Sequence, residues 1–159
     1  MFLATTPNQK YWKDNEKILF LGEWCKLYSQ KQIWDKFDHQ TLPYHWRDRG
    51  RLQKDLHYID FLYEKYLKQL GEQFNQIHNV DYSTRYWRII IGHWLYVLIT
   101  TLYDRFRCIQ TAIDSKLATN TYLASLQSEH WVCADSNVFR QRCYGDDNFN
   151  LYLFSVIFI

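Results

Sequence analysis

Glycine and proline are scarce, with 5 Gly and 2 Pro in 159 residues. An all-β sandwich or barrel needs more turn residues than that, so long helices with a few strands are expected. Charge of either sign is not in excess: 19 Lys+Arg stand against 17 Asp+Glu, a formal net charge of +2. So weak a field does not suit a general nucleic-acid binder, and no RNP, zinc-finger or basic-helix pattern occurs. Cys25, Cys108, Cys133 and Cys143 form no C-x-x-C pair and have no histidine at zinc spacing. They read as reduced thiols of a cytoplasmic protein. No basic n-region precedes an apolar stretch at Met1 to Lys17, so no secretory signal is expected. The longest central stretch without a charge, Ile89 to Tyr103, is fifteen residues and contains His93, too short for a membrane span. There is no G-x-G-x-x-G, Walker, H-E-x-x-H or G-x-S-x-G motif.

Aromatic residues are abundant instead: 7 Trp, 13 Tyr and 10 Phe make 19% of the chain. A single domain of this size buries roughly 70% of its unfolded surface and needs no disulfide or metal staple. Phe2 to Thr5 is a strand candidate. Lys17 to Leu21, a charged edge and four apolar residues ended by Gly22, reads as a buried parallel strand. Gln30 to Phe37 reads as a short helix, and His39 to Leu42, ended by Pro43, as a third strand.

From Asp48, a good N-cap, Leu52, Leu56, Ile59, Tyr63, Tyr66, Leu70, Phe74 and Ile77 recur every three or four residues. This is one stripe of a long helix, with Gly71 marking a bend. A second long helix spans about Thr84 to Ser115. It is apolar on nearly all sides from Trp87 to Leu102, so it should be enclosed by other elements. The short connection makes the two helices antiparallel neighbours. Glu129 to Ala134 reads as a loop or short strand and Asn137 to Tyr144 as a helical turn. The fold class is therefore α/β, a small parallel sheet near the N-terminus with two long antiparallel helices, in one domain over residues 1–159. Leu151 to Ile159 has one polar side chain in nine residues and reads like a chain cut within an element. Exposed, it would be an aggregation hazard, and its removal should improve solubility.

Chemistry-bearing residues gather at three places. Glu23 and Trp24 follow the best strand, where ligands of open α/β sheets bind. Glu23 suits a general base or a sugar-hydroxyl ligand and Trp24 a flat wall for a ring; the plainer alternative is a strand-to-loop turn with a packing Trp. His45, with Trp46 beside it, follows the third strand and suits acid/base work; the alternative is a loop His stacked on Trp46. Arg85 and Arg88 share a face at the positive end of the second helix and suit an anionic group such as a diphosphate; the alternative is pairing with acidic neighbours. His93, in an apolar stretch, reads as structural. Asp146-Asp147-Asn148 after Gly145 reads as a turn and not as a metal site.

Leu3 to Thr6, Ile18 to Cys25 (ILFLGEWC), Leu42 to Trp46 (LPYHW), Tyr86 to Trp94 (YWRIIIGHW) and Trp131 to Asn137 (WVCADSN) stand in this order. Together they resemble the N-terminal part of a family of bacterial and archaeal transferases linked to surface-polysaccharide biosynthesis, over Leu3 to about Leu153. The resemblance implies a glycosyltransferase-like enzyme with two facing α/β domains and a cleft between them. It implies a sugar acceptor and a nucleotide-sugar donor as substrates of the complete enzyme. Family members are much longer, so this chain is expected to be an N-terminal fragment without the second domain, binding no cofactor and inactive alone. His93 stands where the family tends to have Pro, which weakens a catalytic role for it. Glu23 or His45 is then the candidate base, Arg85 with Arg88 the diphosphate ligand, and Trp24 and Trp46 the sugar-stacking walls. The competing expectation is a non-catalytic helical interaction module or a degenerate remnant, its long helices and apolar tail forming a partner surface. Convergence of Glu23, His45 and Arg88 in one cleft separates the two.

Overall fold

The computed structural model describes residues 1–125 and 132–158. Strands β1 (Phe2–Ala4), β2 (Ile18–Phe20), β3 (His39–Thr41) and β4 (Asn120–Thr121) form a parallel sheet in the order β3-β2-β1-β4. Helices α1 (Lys31–Trp34), α2 (Arg49–His78), α3 (Thr84–Ser115), α4 (Ser136–Gly145) and α5 (Asp147–Phe158) surround it. The α/β class and the two long helices expected from the sequence are thus present. Among the described residues, no helix is long and apolar enough to cross a membrane.

Interior strands β1 and β2 are buried on both faces, with Ile18 and Phe20 wholly inaccessible. Continuous apolar runs are what such a position demands. Edge strand β3 is half-exposed and carries His39, Gln40 and Thr41. The polar β4 has no apolar run to announce it. It pairs through its backbone, and Thr121 Oγ1 donates to Leu3 O at 2.8 Å. Cys108, Ile109 and Ala112 of α3 and Phe154 of α5 close over the sheet.

Asp48 caps α2, its Oδ1 accepting from Gly50 N at 2.8 Å and Arg51 N at 3.2 Å. Asn79, in the left-handed region at φ 51°, ends the helix. The helix continues through Gly71 to His78. That glycine serves packing: a Cβ there would lie 2.9 Å from Trp87 Cδ1. Tyr63 makes the reciprocal approach to Gly92 of α3, its Oη 2.6 Å from where a Cβ would stand. Gly71→Leu is expected to cost about 1–3 kcal/mol by overpacking this seam, read as a lower urea midpoint with unchanged slope.

Helix α3 is not enclosed as its composition suggests. Ile89 and Ile90 are 75% and 58% exposed, because α2 on one side and α4 and α5 on the other leave a face uncovered. The apolar C-terminal run is in turn largely covered. Leu151, Leu153 and Phe154 are buried in α5, and Ser155 Oγ accepts from Ala124 N at 2.9 Å while donating to Leu151 O at 2.7 Å. The helical turn expected over Asn137 to Tyr144 is α4. Half of the loop or strand expected over Glu129 to Ala134, residues 129–131, and Ile159 lie outside the described residues.

Candidate functional site

A cleft of about 450 Å³ opens at the carboxyl ends of β1, β2 and β3. The chain runs outward from β1 to β3 and then crosses to the far side of β1 for β4, and crevices at such strand ends are where open parallel sheets bind ligands. The loop after β1 supplies Thr5 and Pro7, the loop after β2 supplies Glu23 and Trp24, and the loop after β3 supplies Leu42, Tyr44 and Arg47. Asp104 and Arg105 of α3, Cys143 and Tyr144 of α4, and Asp147, Asn150 and Phe154 of α5 form the opposite wall.

Trp24 forms a platform in this cleft. Its ring lies parallel to Phe154, 4° between planes with centroids 6.4 Å apart, and meets Tyr44 edge-on. Gly22 makes room for it: a Cβ there would fall 2.0 Å from the indole. Glu23 beside it is exposed, and its Oε2 is 3.1 Å from Lys26 Nζ. Cys25 faces the core and donates to Ala4 O at 3.3 Å, and burial pushes its thiol up to about 12. Burial also raises the thiol of Cys143. Neither is an activated nucleophile.

Asp104 is the polar hub of the far wall. Tyr44 Oη donates to its Oδ1 at 2.7 Å and His45 Nε2 to the same oxygen at 3.0 Å, since an ionised carboxylate only accepts. Its Oδ2 pairs with Arg105. Burial pushes the Asp104 carboxyl upward, but the His45 bond, the Arg105 charge and the Tyr44 hydroxyl outweigh it and hold the group below the usual range. Arg105 also donates to Asn150 Oδ1 from Nε at 3.1 Å and Nη2 at 2.8 Å, and lies over the Phe154 ring. The cleft's own cation is therefore already neutralised. Arg47 differs: it is exposed on the cleft rim and makes no ion pair among the described residues.

The sequence candidates divide. Glu23 and Trp24 line the cleft. His45 sits behind the wall, its side chain inaccessible, and reaches the cleft only through Asp104; its Nδ1 is buried without a hydrogen-bond partner. Trp46 turns away to donate to Asp55 Oδ2 at 3.0 Å, beside Tyr103, whose hydroxyl donates to Asp55 Oδ1 at 2.8 Å. The LPYHW stretch is thus a clamp tying the β3 loop to α2 and α3 through two buried aspartates. Arg85 and Arg88 are not among the cleft's lining residues. Arg88 makes a bidentate pair with Glu64 of α2 at 2.6 and 2.7 Å, and Arg85 is exposed in the first turn of α3. Glu23 lines the cleft, His45 is buried behind its wall and Arg88 is paired elsewhere, so the three do not converge as the enzyme reading expects, and on this criterion the interaction module is favoured.

Reading the sequence for motifs misses Asp104, Arg105, Arg47, Asp147 and Asn150. Asp104-Arg105 did leave a signal: a charge pair directly after fifteen uncharged helical residues must be satisfied against something.

Ligand atoms of His45, Asp104 and Cys108 lie within 4.8 Å of one another. They suit a cation poorly. Both Asp104 oxygens already have partners, the Arg105 guanidinium opposes a second positive charge, and burial, then Asp104, holds the Cys108 thiol well above its ordinary value.

Neither a curated protein nor a solved structure matches the chain. A family model described as LIC12162 family transferase matches residues 1–159. The chain belongs to the LIC12162 family of transferases.

Proposed function

We propose that the chain forms the acceptor-side wall of a glycosyl-transfer site, in an enzyme of surface-polysaccharide biosynthesis. The observation that carries this reading is the cleft at the strand ends, which combines an aromatic platform with hydroxyl-binding groups. A sugar ring has apolar faces that stack on an indole such as Trp24, while its hydroxyls both donate and accept. The carboxylates of Glu23 and Asp147 and the Arg47 guanidinium supply matching partners around Trp24.

In the transfer step the acceptor oxygen bonds to the anomeric carbon of the donor. The bond from that carbon to the diphosphate oxygen breaks, and the diphosphate leaves with the electron pair. Glu23, exposed in the cleft, takes the acceptor hydroxyl's proton. His45 is a positioning residue that holds Asp104, and through it Tyr44, in place. Arg47, on the cleft rim, meets the leaving diphosphate, a role that Arg85 and Arg88 could fill only from elsewhere on the surface. The nucleotide-sugar donor is assigned to a second α/β domain outside these 159 residues, so the chain by itself is inactive in transfer.

Saturation-transfer NMR with the methyl glycosides of glucose, galactose, mannose and N-acetylglucosamine tests the acceptor reading. At least one glycoside should contact the protein, and Trp24→Ala should weaken it by tenfold or more. Absence of contact from all four would overturn the reading.

A second reading rests on the exposed strip of α3. Ile90, Trp94, Val132 and Tyr152 line an apolar groove, as an interaction module would require.

A further inference from the structure

A second hollow of about 630 Å³ adjoins the cleft, and Pro7 and Asp147 line both. Its other walls are of a different kind. Side-chain amides of Asn8, Gln9, Gln30 and Asn148 dominate, and among the described residues no aromatic lines it. Lys10 stands against Asp146 and Asp147, so the hollow carries a small negative excess that disfavours an anion. Asp146 Oδ1 is moreover occupied, accepting from Asn148 N and Phe149 N at 3.0 Å each to cap α5. Gln30 lines the hollow, and its Oε1 is buried without a hydrogen-bond partner, a cost that turning the amide toward a bound hydroxyl would relieve.

We propose that this hollow is a second sugar subsite, so that the acceptor is an oligosaccharide whose terminal ring lies on Trp24 and whose next ring sits among these amides. The proposal rests on the acceptor-side reading of the cleft and extends it. A neutral, many-hydroxyl ring is the chemical class that fits. Amides offer a donor and an acceptor together, and the Lys10 ammonium and the Asp147 carboxylate add one charged donor and one charged acceptor for hydroxyls. Asp147, at the boundary, reaches hydroxyls of both rings. The two hollows then divide the work: the aromatic one holds the reacting ring, and the amide one selects what that ring is attached to.

Titration calorimetry on the full chain compares each of the four methyl glycosides with a disaccharide carrying the same terminal sugar. For the sugar that binds, the disaccharide is expected to bind at least tenfold more tightly. Gln30→Ala and Asn148→Ala should each erase most of that gain while leaving the monosaccharide affinity unchanged. Equal affinities for a binding monosaccharide and its disaccharide would overturn the subsite and leave the cleft reading standing. So would a disaccharide gain indifferent to both substitutions. Failure of every saccharide to bind would instead remove the cleft reading, and the subsite with it.

Discussion

A chain ending at Asn150 is expected to lose its cooperative fold. The apolar run from Leu151 onward looks from the sequence like a dispensable, aggregation-prone tail. In the fold it is the inner face of α5, with Leu151, Leu153 and Phe154 at 2%, 7% and 1% exposure. Removing three such side chains costs about 3 kcal/mol each, on the order of 9 kcal/mol together. A domain of ordinary stability has about 5–15 kcal/mol in all. Two further losses compound this. Trp24 loses the ring it stacks on, and Ala124 N loses its bond to Ser155 Oγ. The truncated chain should show no near-ultraviolet circular dichroism and no sigmoidal urea transition. A soluble, cooperatively folding product would show that α5 is an accessory, and that the sheet and α3 are sufficient without it.

Asp104→Ala is the point substitution with the largest expected effect. It leaves His45 buried and unpaired, frees the Tyr44 hydroxyl and strips Arg105 of its counter-charge in a partly buried site. Breaking a buried pair from one side costs about 3–5 kcal/mol, measurable by urea unfolding at neutral pH. Asp104→Asn keeps an oxygen for Tyr44 and should cost less. The same network predicts a pH dependence. Because the folded state holds the Asp104 carboxyl below its unfolded value, its contribution is fully present above about pH 3.9 and disappears as pH falls through the lower folded value. The fall in stability on acidification should therefore be shallower in Asp104→Ala than in the wild type. Equal slopes would mean that the carboxylate is not held by its partners in the folded state.

Some features were legible because their cause is local. Asp48 starts α2 by accepting its neighbours' amide protons, and a run such as Ile18-Leu19-Phe20 ended by Gly22 has few places to go but the middle of a sheet. The position of Glu23 and Trp24 at the cleft followed from the same rule of strand ends. Other features had no local cause. Asn120-Thr121 is a strand only because the edge of β1 lies open beside it. Arg88 finds Glu64 twenty-four residues earlier in the chain, a pairing that the close spacing of Arg85 and Arg88 conceals. His45 looks like an accessible acid/base group because its neighbours are polar and aromatic, yet α3 folds over it.

Composition, periodicity and capping by themselves determined the α/β class, the two long helices and the strand from which the cleft is built. Which polar side chains face that cleft was decided by tertiary packing alone. Backbone preferences and apolar spacing act over a few residues, whereas Asp104 meets His45, and Arg105 meets Asn150, only when burial of α3 brings distant segments together and every stranded charge must find a partner.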